Sequence, residues 1–333
     1  MDKNLNENRR SLVIAAASAG LGLGGFHVAS KAQSFPVSGK PIRIVLPVPP
    51  SILDTTLRLM FDSVSADLGT NLIIDNKPGA STIIAAEDVK RAAPDGHTLL
   101  YTFVVTHTQN PHLYSKLPYD PFRDFIPVTQ LVRSATVLTA HPKAPFNNIK
   151  ELVEYAKANK GKLAFGSYGN GTTSHLNGEI LQRSAGIELI HVPYKGSSEA
   201  VKDLLGGVIP MIFDGTQSAV VNMKAGLVKG IGTATDRRIA VLPNLPTISE
   251  QGVPGIDIVG WQGLFAPAGT NPAVVERIAA AFSKAVRQKS VTSFIEEAGS
   301  EVSGTTPAEF ASIVRKDYDR WGQVIKATGL KFD

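Results

Sequence analysis

The sequence predicts an α/β protein of two lobes with a cleft between them, on three observations. Short apolar runs alternate with amphipathic helical stretches in two separate series. Turns rich in glycine and hydroxyl residues recur where a predicted strand gives way to a helix. Two long extended stretches, Arg133 to Ala140 and Ile256 to Pro267, stand where the chain would leave the first series and return to it. Strand and helix alternating at this density imply two parallel-type sheets flanked by helices, with right-handed crossovers.

In the first series, Pro41 to Leu46 reads as a strand, closed by the breaker Pro47-Val48-Pro49-Pro50-Ser51. A helix follows from about Asp54, with Leu57, Phe61, Val64 and Leu68 on one face and Gly69 as its stop. A strand at Leu72 to Ile74, a helix from about Ile83 to Ala93 and a strand from Thr98 to Val104 complete it. In the second series, Asn148 with Glu151 suggests a capping box ahead of the face Ile149, Leu152, Val153 and Ala156. Strands are expected at Leu163 to Gly166, Glu188 to Val192, Ile209 to Phe213 and Gly230 to Thr233, with helices at Ser174 to Ser184 and Ser197 to Leu205. The last third is helical. Asn271-Pro272 opens one helix, and Thr306-Pro307-Ala308-Glu309 opens the final one as a capping box with proline at its first position.

Residues 1–32 read as an export signal. Arg9-Arg10 precede the apolar, Gly/Ala-rich run Leu12 to Phe26, which is too short for a permanent span, and Ser30 and Ala32 frame a cleavage site. The paired arginines resemble a twin-arginine signal; an ordinary secretory signal carrying two arginines is the other reading. Either route gives a soluble periplasmic chain beginning near Gln33.

Composition excludes several chemistries. The chain has no Cys, so disulfides, thiolate metal sites and a Cys nucleophile are ruled out. Its net charge of +5 falls to +3 once the leader's four basic and two acidic residues are removed. That excess is small and dispersed, and no Lys/Arg run with interleaved aromatics suggests nucleic acid. No Gly-x-Ser-x-Gly elbow, phosphate loop or His-Glu-x-x-His is present. His107 and His112, five apart without acidic neighbours, read as turn or capping residues.

Four loops at strand carboxyl ends carry the candidate chemistry. They are Pro47 to Asp54, Pro78 to Thr82, Gly166 to His175 and Val192 to Ser197. Glycines let backbone N–H groups approach a ligand, and a following helix N-terminus favours an anion, so together the loops suggest a carboxylate or phosphate site. Each is equally an ordinary connector with turn residues and caps. Asp54 opens a helix, where a carboxylate is stabilising on dipole grounds alone. Asp214, after Phe213, orients a binding loop, accepts a ligand ammonium or starts a turn. His175 and His191 fall beside the loops. Gly169-x-Gly171-x-x-Ser174 grazes a dinucleotide fingerprint, but its third glycine is Ser, and Glu188 opens the next strand where a ribose-binding acid would close it. An exported enzyme with a bound cofactor therefore stays as the alternative.

Taken in order, these loops resemble the substrate-binding proteins of tripartite tricarboxylate transporters, the Bug-type periplasmic receptors. The resemblance rests on Lys40 to Val45, Asn76-Lys77-Pro78-Gly79-Ala80, Pro94-Asp95-Gly96-His97-Thr98-Leu99-Leu100 and Leu117-Pro118-Tyr119-Asp120-Pro121. It continues through Gly166-Ser167 with His175-Leu176, His191-Val192-Pro193-Tyr194-Lys195-Gly196, Asp203 to Gly207, Leu242 to Thr247 and Ala266 to Thr270. It implies a two-lobed periplasmic binding protein fold of type II-like form, with lobe 1 at 33–136 plus 262–333 and lobe 2 at 137–261. It implies no catalysis and no cofactor or metal, a small organic carboxylate as ligand and membrane permease subunits as partners; a monomer is expected, because each lobe must move freely. A receptor feeding a sensor protein is a further alternative.

The positions matching the family's carboxylate site are Pro50, Ser51, Ile52, Ala80, Ser81 and Thr82 from one lobe. From the other come Ser167, Asn170, Gly171, Thr172, Thr173, Ser174, Tyr194, Lys195 and Gly196, with Asp54, His175 and Asp214 beside them. The family usually has Gly-Gly where this chain has Ser51-Ile52, and again where it has Ser81-Thr82. Four side chains replacing glycines imply a tighter pocket floor, and Ile52 implies a preference moved toward an aromatic or aliphatic carboxylate.

Overall fold

Two mixed sheets organise the chain. The computed structural model describes residues 35–257 and 259–332, apart from the side chains of Ile52 and Ala80. The export signal expected over residues 1–32 lies outside the described residues.

The first sheet starts as expected, with β1 (Ile42–Leu46), α1 (Ile52–Leu68), β2 (Leu72–Asn76), α2 (Ile83–Lys90) and β3 (Thr98–Phe103). β1 pairs in parallel with both β2 and β3. Leu57, Met60, Val64 and Leu68 bury one face of α1, and Gly69 ends it in the left-handed conformation. β3 then runs into a π-helical segment, Val105–Gln109, and a short α3 (Asn110–Leu113), where the sequence suggested only turns. The reason is burial: Thr106, His107, Thr108, Gln109 and Asn110 are all inside, held by tertiary contacts that local periodicity does not encode.

The extended stretch around Arg133 is two strands in two sheets. β4 (Phe125–Ser134) belongs to the first sheet and β5 (Thr136–Ala140) to the second, so the chain changes sheet at Ala135. The second sheet is completed by α4 (Ile149–Ala158), β6 (Ala164–Ser167), α5 (Thr173–Ala185), β7 (Ile190–Pro193), α6 (Ser197–Leu205), β8 (Met211–Gly215), α7 (Thr216–Lys224) and β9 (Lys229–Thr233). β10 (Gly260–Pro267) then returns to the first sheet. After it come α8 (Pro272–Val286), α9 (Lys289–Glu297), the two-residue β11 (Glu301–Val302) and α10 (Pro307–Thr328).

The strand orders are β11-β4-β10-β3-β1-β2 and β7-β6-β8-β5-β9. β10 is antiparallel to β3 and β4, and β5 is antiparallel to β8 and β9. In each sheet one of the strands that carry the chain across, β10 in the first and β5 in the second, runs against its neighbours. Helix ends follow their caps. Thr306 and Glu309 close a reciprocal capping box on α10. At α4 the Asn148 side chain accepts from the Glu151 N–H, but the Glu151 carboxylate reaches the Asn147 N–H, one residue further back than a capping box places it.

Candidate ligand cleft

The carboxyl ends of β1, β3, β6 and β8 open on a cleft of 1160 Å³. Pro47, Val48, Pro49, Leu53, Gly79, Ser81, Thr82, Phe103, Tyr114 and Phe332 line it from the first lobe. Residues 168–170, 172–174, 195–197 and 215–218 line it from the second. Val132, Ser134, Ala135, Thr136, Gly260, Trp261 and Gln262 of the crossing strands form its back, beside Phe294, Ile295 and Ala298 at α9.

Of the residues expected at the site, eight stand on the cleft surface: Ser81, Thr82, Asn170, Thr172, Thr173, Ser174, Lys195 and Gly196. Lys195 is the one ionised side chain among the described lining residues. The rest of the second-lobe wall is neutral. α5, α6 and α7 all begin on it, at Thr172, Gly196 and Gly215. Thr172 caps α5 by accepting from the His175 N–H, whereas α6 and α7 start on glycines that offer no side-chain cap. Three helix starts and one ammonium suit an anion without a dense positive field.

Other expected residues stand behind the wall. Ser167 is fully buried, its Oγ 2.6 Å from His191 Nε2 and 3.2 Å from the Gly169 N, so this Ser–His pair shapes the loop and does not face the cleft. Gly171 donates its N–H to His175 Nδ1, and the His175 ring stacks on His191 at 3.8 Å. Burial, reinforced by His175, pushes the His191 pKa down to about 4, leaving a neutral ring at neutral pH. Tyr194 Oη donates to Asp203 at 2.8 Å. Asp214 accepts from Tyr168 Oη at 2.6 Å and from the Gly215 N–H, and burial pushes its pKa up. That carboxyl orients the start of α7, which presents 215–218 to the cleft.

In the first lobe, Asp54 is spent on the cap of α1. Its carboxylate accepts from the Ser51 N–H at 3.0 Å, and the Ser51 Oγ accepts from the Leu53 N–H. Pro50 and Ser51 are exposed, while their neighbours Pro49 and Leu53 line the cleft. The Ile52 and Ala80 side chains lie outside the described part of the structure, and with them the contact expected of Ile52.

Sequence reasoning missed Tyr114, residues 216–218, the α9 face and Phe332. Only the 216–218 group had a local signal, following Asp214-Gly215 at a strand end. Tyr114 and Phe332 meet through an isolated bridge, their rings 6.0 Å apart, and no local pattern links positions so distant in sequence. No group of three or more His, Asp or Glu side chains converges as a metal site among the described residues.

The chain is similar to known proteins in both sequence and fold. The chain is 35% identical over 299 residues to a protein from the tcbD-tcbE intergenic region of Pseudomonas sp. strain P51, covering 89% of this chain and 88% of that one. Its fold matches that of Rpa4515 of R. palustris, solved with adipate, at a TM-score of 0.82 and 29% identity over 90% of this chain and 99% of that one. It also matches the periplasmic binding protein BugD at a TM-score of 0.79 and 30% identity, over 89% of this chain and 99% of that one. These folds are those of solute-binding receptors. The tripartite tricarboxylate transporter family receptor model matches residues 56–330, and the chain belongs to that family.

Proposed function

We propose that this protein is a periplasmic solute receptor that binds a small organic carboxylate between its lobes and delivers it to a tripartite tricarboxylate-type membrane transporter. The observation that carries this reading is the cleft itself. Loops from both lobes meet across 1160 Å³, with one ammonium, hydroxyl groups and the starts of three helices on one wall. Apart from Lys195 the donors are neutral and suit moderate, reversible affinity, and water excluded as the lobes approach supplies the rest. The sheet changes at Ala135 and ahead of Gly260 support a division into lobe 1 at 33–136 plus 262–333 and lobe 2 at 137–261. The reading includes export by the leader at 1–32 and a monomer free to open and close.

Thermal melting against a panel of organic acids tests it. Ligand at a hundredfold over Kd adds about 2.7 kcal/mol of stability. Mass spectrometry of whatever denaturation releases from the purified protein identifies the natural ligand. A panel without a single shift, and an empty release, would overturn the reading.

A further inference from the structure

Two cleft residues hold a backbone conformation that side chains avoid. Ser81 has φ 48° and Thr82 has φ 76°, the only non-glycine residues with positive φ among those described. A β-branched residue rarely accepts that region, so something in the fold must hold Thr82 there. The structure shows what does. Asn110 Nδ2 donates to the Ser81 carbonyl at 2.7 Å, and Thr106 Oγ1 donates to Thr82 Oγ1 at 2.7 Å. Tyr119 Oη in turn donates to the Thr106 carbonyl at 2.6 Å.

The direction of these bonds matters more than their number. Tyr114 Oη donates to Ser81 Oγ at 3.2 Å, so Ser81 keeps its own proton to give. Thr102 Oγ1 lies 2.5 Å from Thr106 Oγ1, and Thr106 donates to Thr82, so Thr82 keeps its proton as well. Two hydroxyl chains, Tyr114 to Ser81 and Thr102 through Thr106 to Thr82, thus both end at residues of the cleft lining with a donor left over, Thr82 Oγ1 also accepting from Asn110 Nδ2 at 3.4 Å. Chained hydroxyls polarise one another, which strengthens the terminal donor.

We infer that Ser81 and Thr82 are the specificity-determining donors of the first lobe, with Tyr114 and Thr106 as their positioning residues. They select a ligand that carries a second acceptor oxygen opposite the carboxylate held by the second lobe. The inference rests on the receptor reading above, and it assigns the ligand class to a small acid with acceptors at both ends.

The probes are adipate and hexanoate, which share a six-carbon chain and differ in the second carboxylate. Calorimetric titration of the full mature chain gives the ratio of their affinities. The unsubstituted protein prefers adipate. Ser81→Gly and Thr82→Val each lower that preference about tenfold, the cost of one hydrogen bond to a charged acceptor. Tyr114→Phe, which keeps the ring, lowers it by a smaller factor. Thr82→Ser keeps the hydroxyl and sheds the β-branch, so it retains the preference while its melting temperature rises. Ser81→Gly also melts at least as high as the parent, which shows that its loss of preference is no folding defect. Binding with an unchanged ratio in Ser81→Gly, or a loss in Thr82→Ser equal to that in Thr82→Val, would overturn the inference alone. Failure of the unsubstituted protein to bind either acid, with no shift from any other, would overturn the receptor reading and this inference with it.

Discussion

The two walls of the cleft are made of different material. On the second lobe Gly169, Gly196 and Gly215 stand on the surface among hydroxyl side chains, Gly171 packs just behind, and three helices begin there. On the first lobe the corresponding turn presents side chains, Ser81 and Thr82, in a conformation glycine would adopt without strain. Backbone donors recognise an anionic oxygen whatever molecule carries it, whereas a hydroxyl at the end of an oriented chain recognises one position. On the receptor reading proposed above, the second lobe serves the carboxylate in general and the first the rest of the ligand.

The sharpest way to break this comparison is to put a methyl group where the second wall relies on having none. Gly171 has φ 73°, and a Cβ there would lie 2.7 Å from Leu113 Cδ1 and 2.8 Å from Phe332 Cε2, both from the first lobe. Gly171→Ala is expected to cost about 1–3 kcal/mol in overpacking, paid in part as wider separation of the walls. Titration should show affinity down by about tenfold to a hundredfold. Affinity unchanged with the fold intact would mean that the close approach at Gly171 is irrelevant to binding.

Behind each wall stands a neutral imidazole, fully buried in the first lobe and half-buried in the second. In the first lobe His107 is fully buried, stacked on Phe265 at 3.6 Å with neither ring nitrogen bonded, and burial pushes its pKa down to about 3. In the second, His191 is pushed down to about 4. In the unfolded chain both titrate near 6.5, so below that pH the unfolded state binds more protons. Their stability contribution is complete above about pH 6.5 and is lost as pH falls toward 4 and 3. For His107 the slope approaches about 1.4 kcal/mol per pH unit. Melting temperatures between pH 7.5 and 4.5 should fall, and His107→Phe should flatten part of that fall. Parallel profiles for parent and variant would show that His107 protonates without unfolding.

A smaller effect separates charge from backbone on the second wall. Lys195 is exposed, so solvent screens it, and Lys195→Gln should weaken carboxylate binding by about 1 kcal/mol, roughly fivefold. Added salt should weaken the parent and leave the variant nearly unmoved. A loss of a hundredfold would move the work of recognition from the helix starts to the ammonium.

How much of this was legible in the sequence also differs between the walls. The second wall was readable because its signals are local: Gly169, Gly171 and Gly196 lie between strand and helix patterns, and each loop points to a helix start. The alternation giving both sheets was local too, as was the Thr306–Glu309 cap. The first wall was readable only in part. Ser81 and Thr82 stood out against the family's glycines, but nothing nearby announced that Asn110, Thr106 and Tyr114 would hold them, because the π-helical turn and α3 that deliver those residues are fixed by burial. Phe332 comes from the far end of the chain, and Asp54 looked the same whether it capped a helix or met a ligand.

That last ambiguity gives the smallest prediction. Ser51 and Asp54 form a reciprocal cap on α1, the Ser51 Oγ taking the Leu53 N–H at 3.3 Å and the Asp54 carboxylate taking the Ser51 N–H at 3.0 Å. An N-cap serine replaced by alanine loses about 1 kcal/mol of stability. Ser51→Ala should therefore lower the melting temperature modestly while leaving adipate affinity within about twofold, a change of well under 1 kcal/mol. The reverse pattern, a stable protein that binds tenfold more weakly, would put the Ser51 hydroxyl on the ligand. The first wall would then recognise its ligand through two turns, with Ser51 joining Ser81 and Thr82.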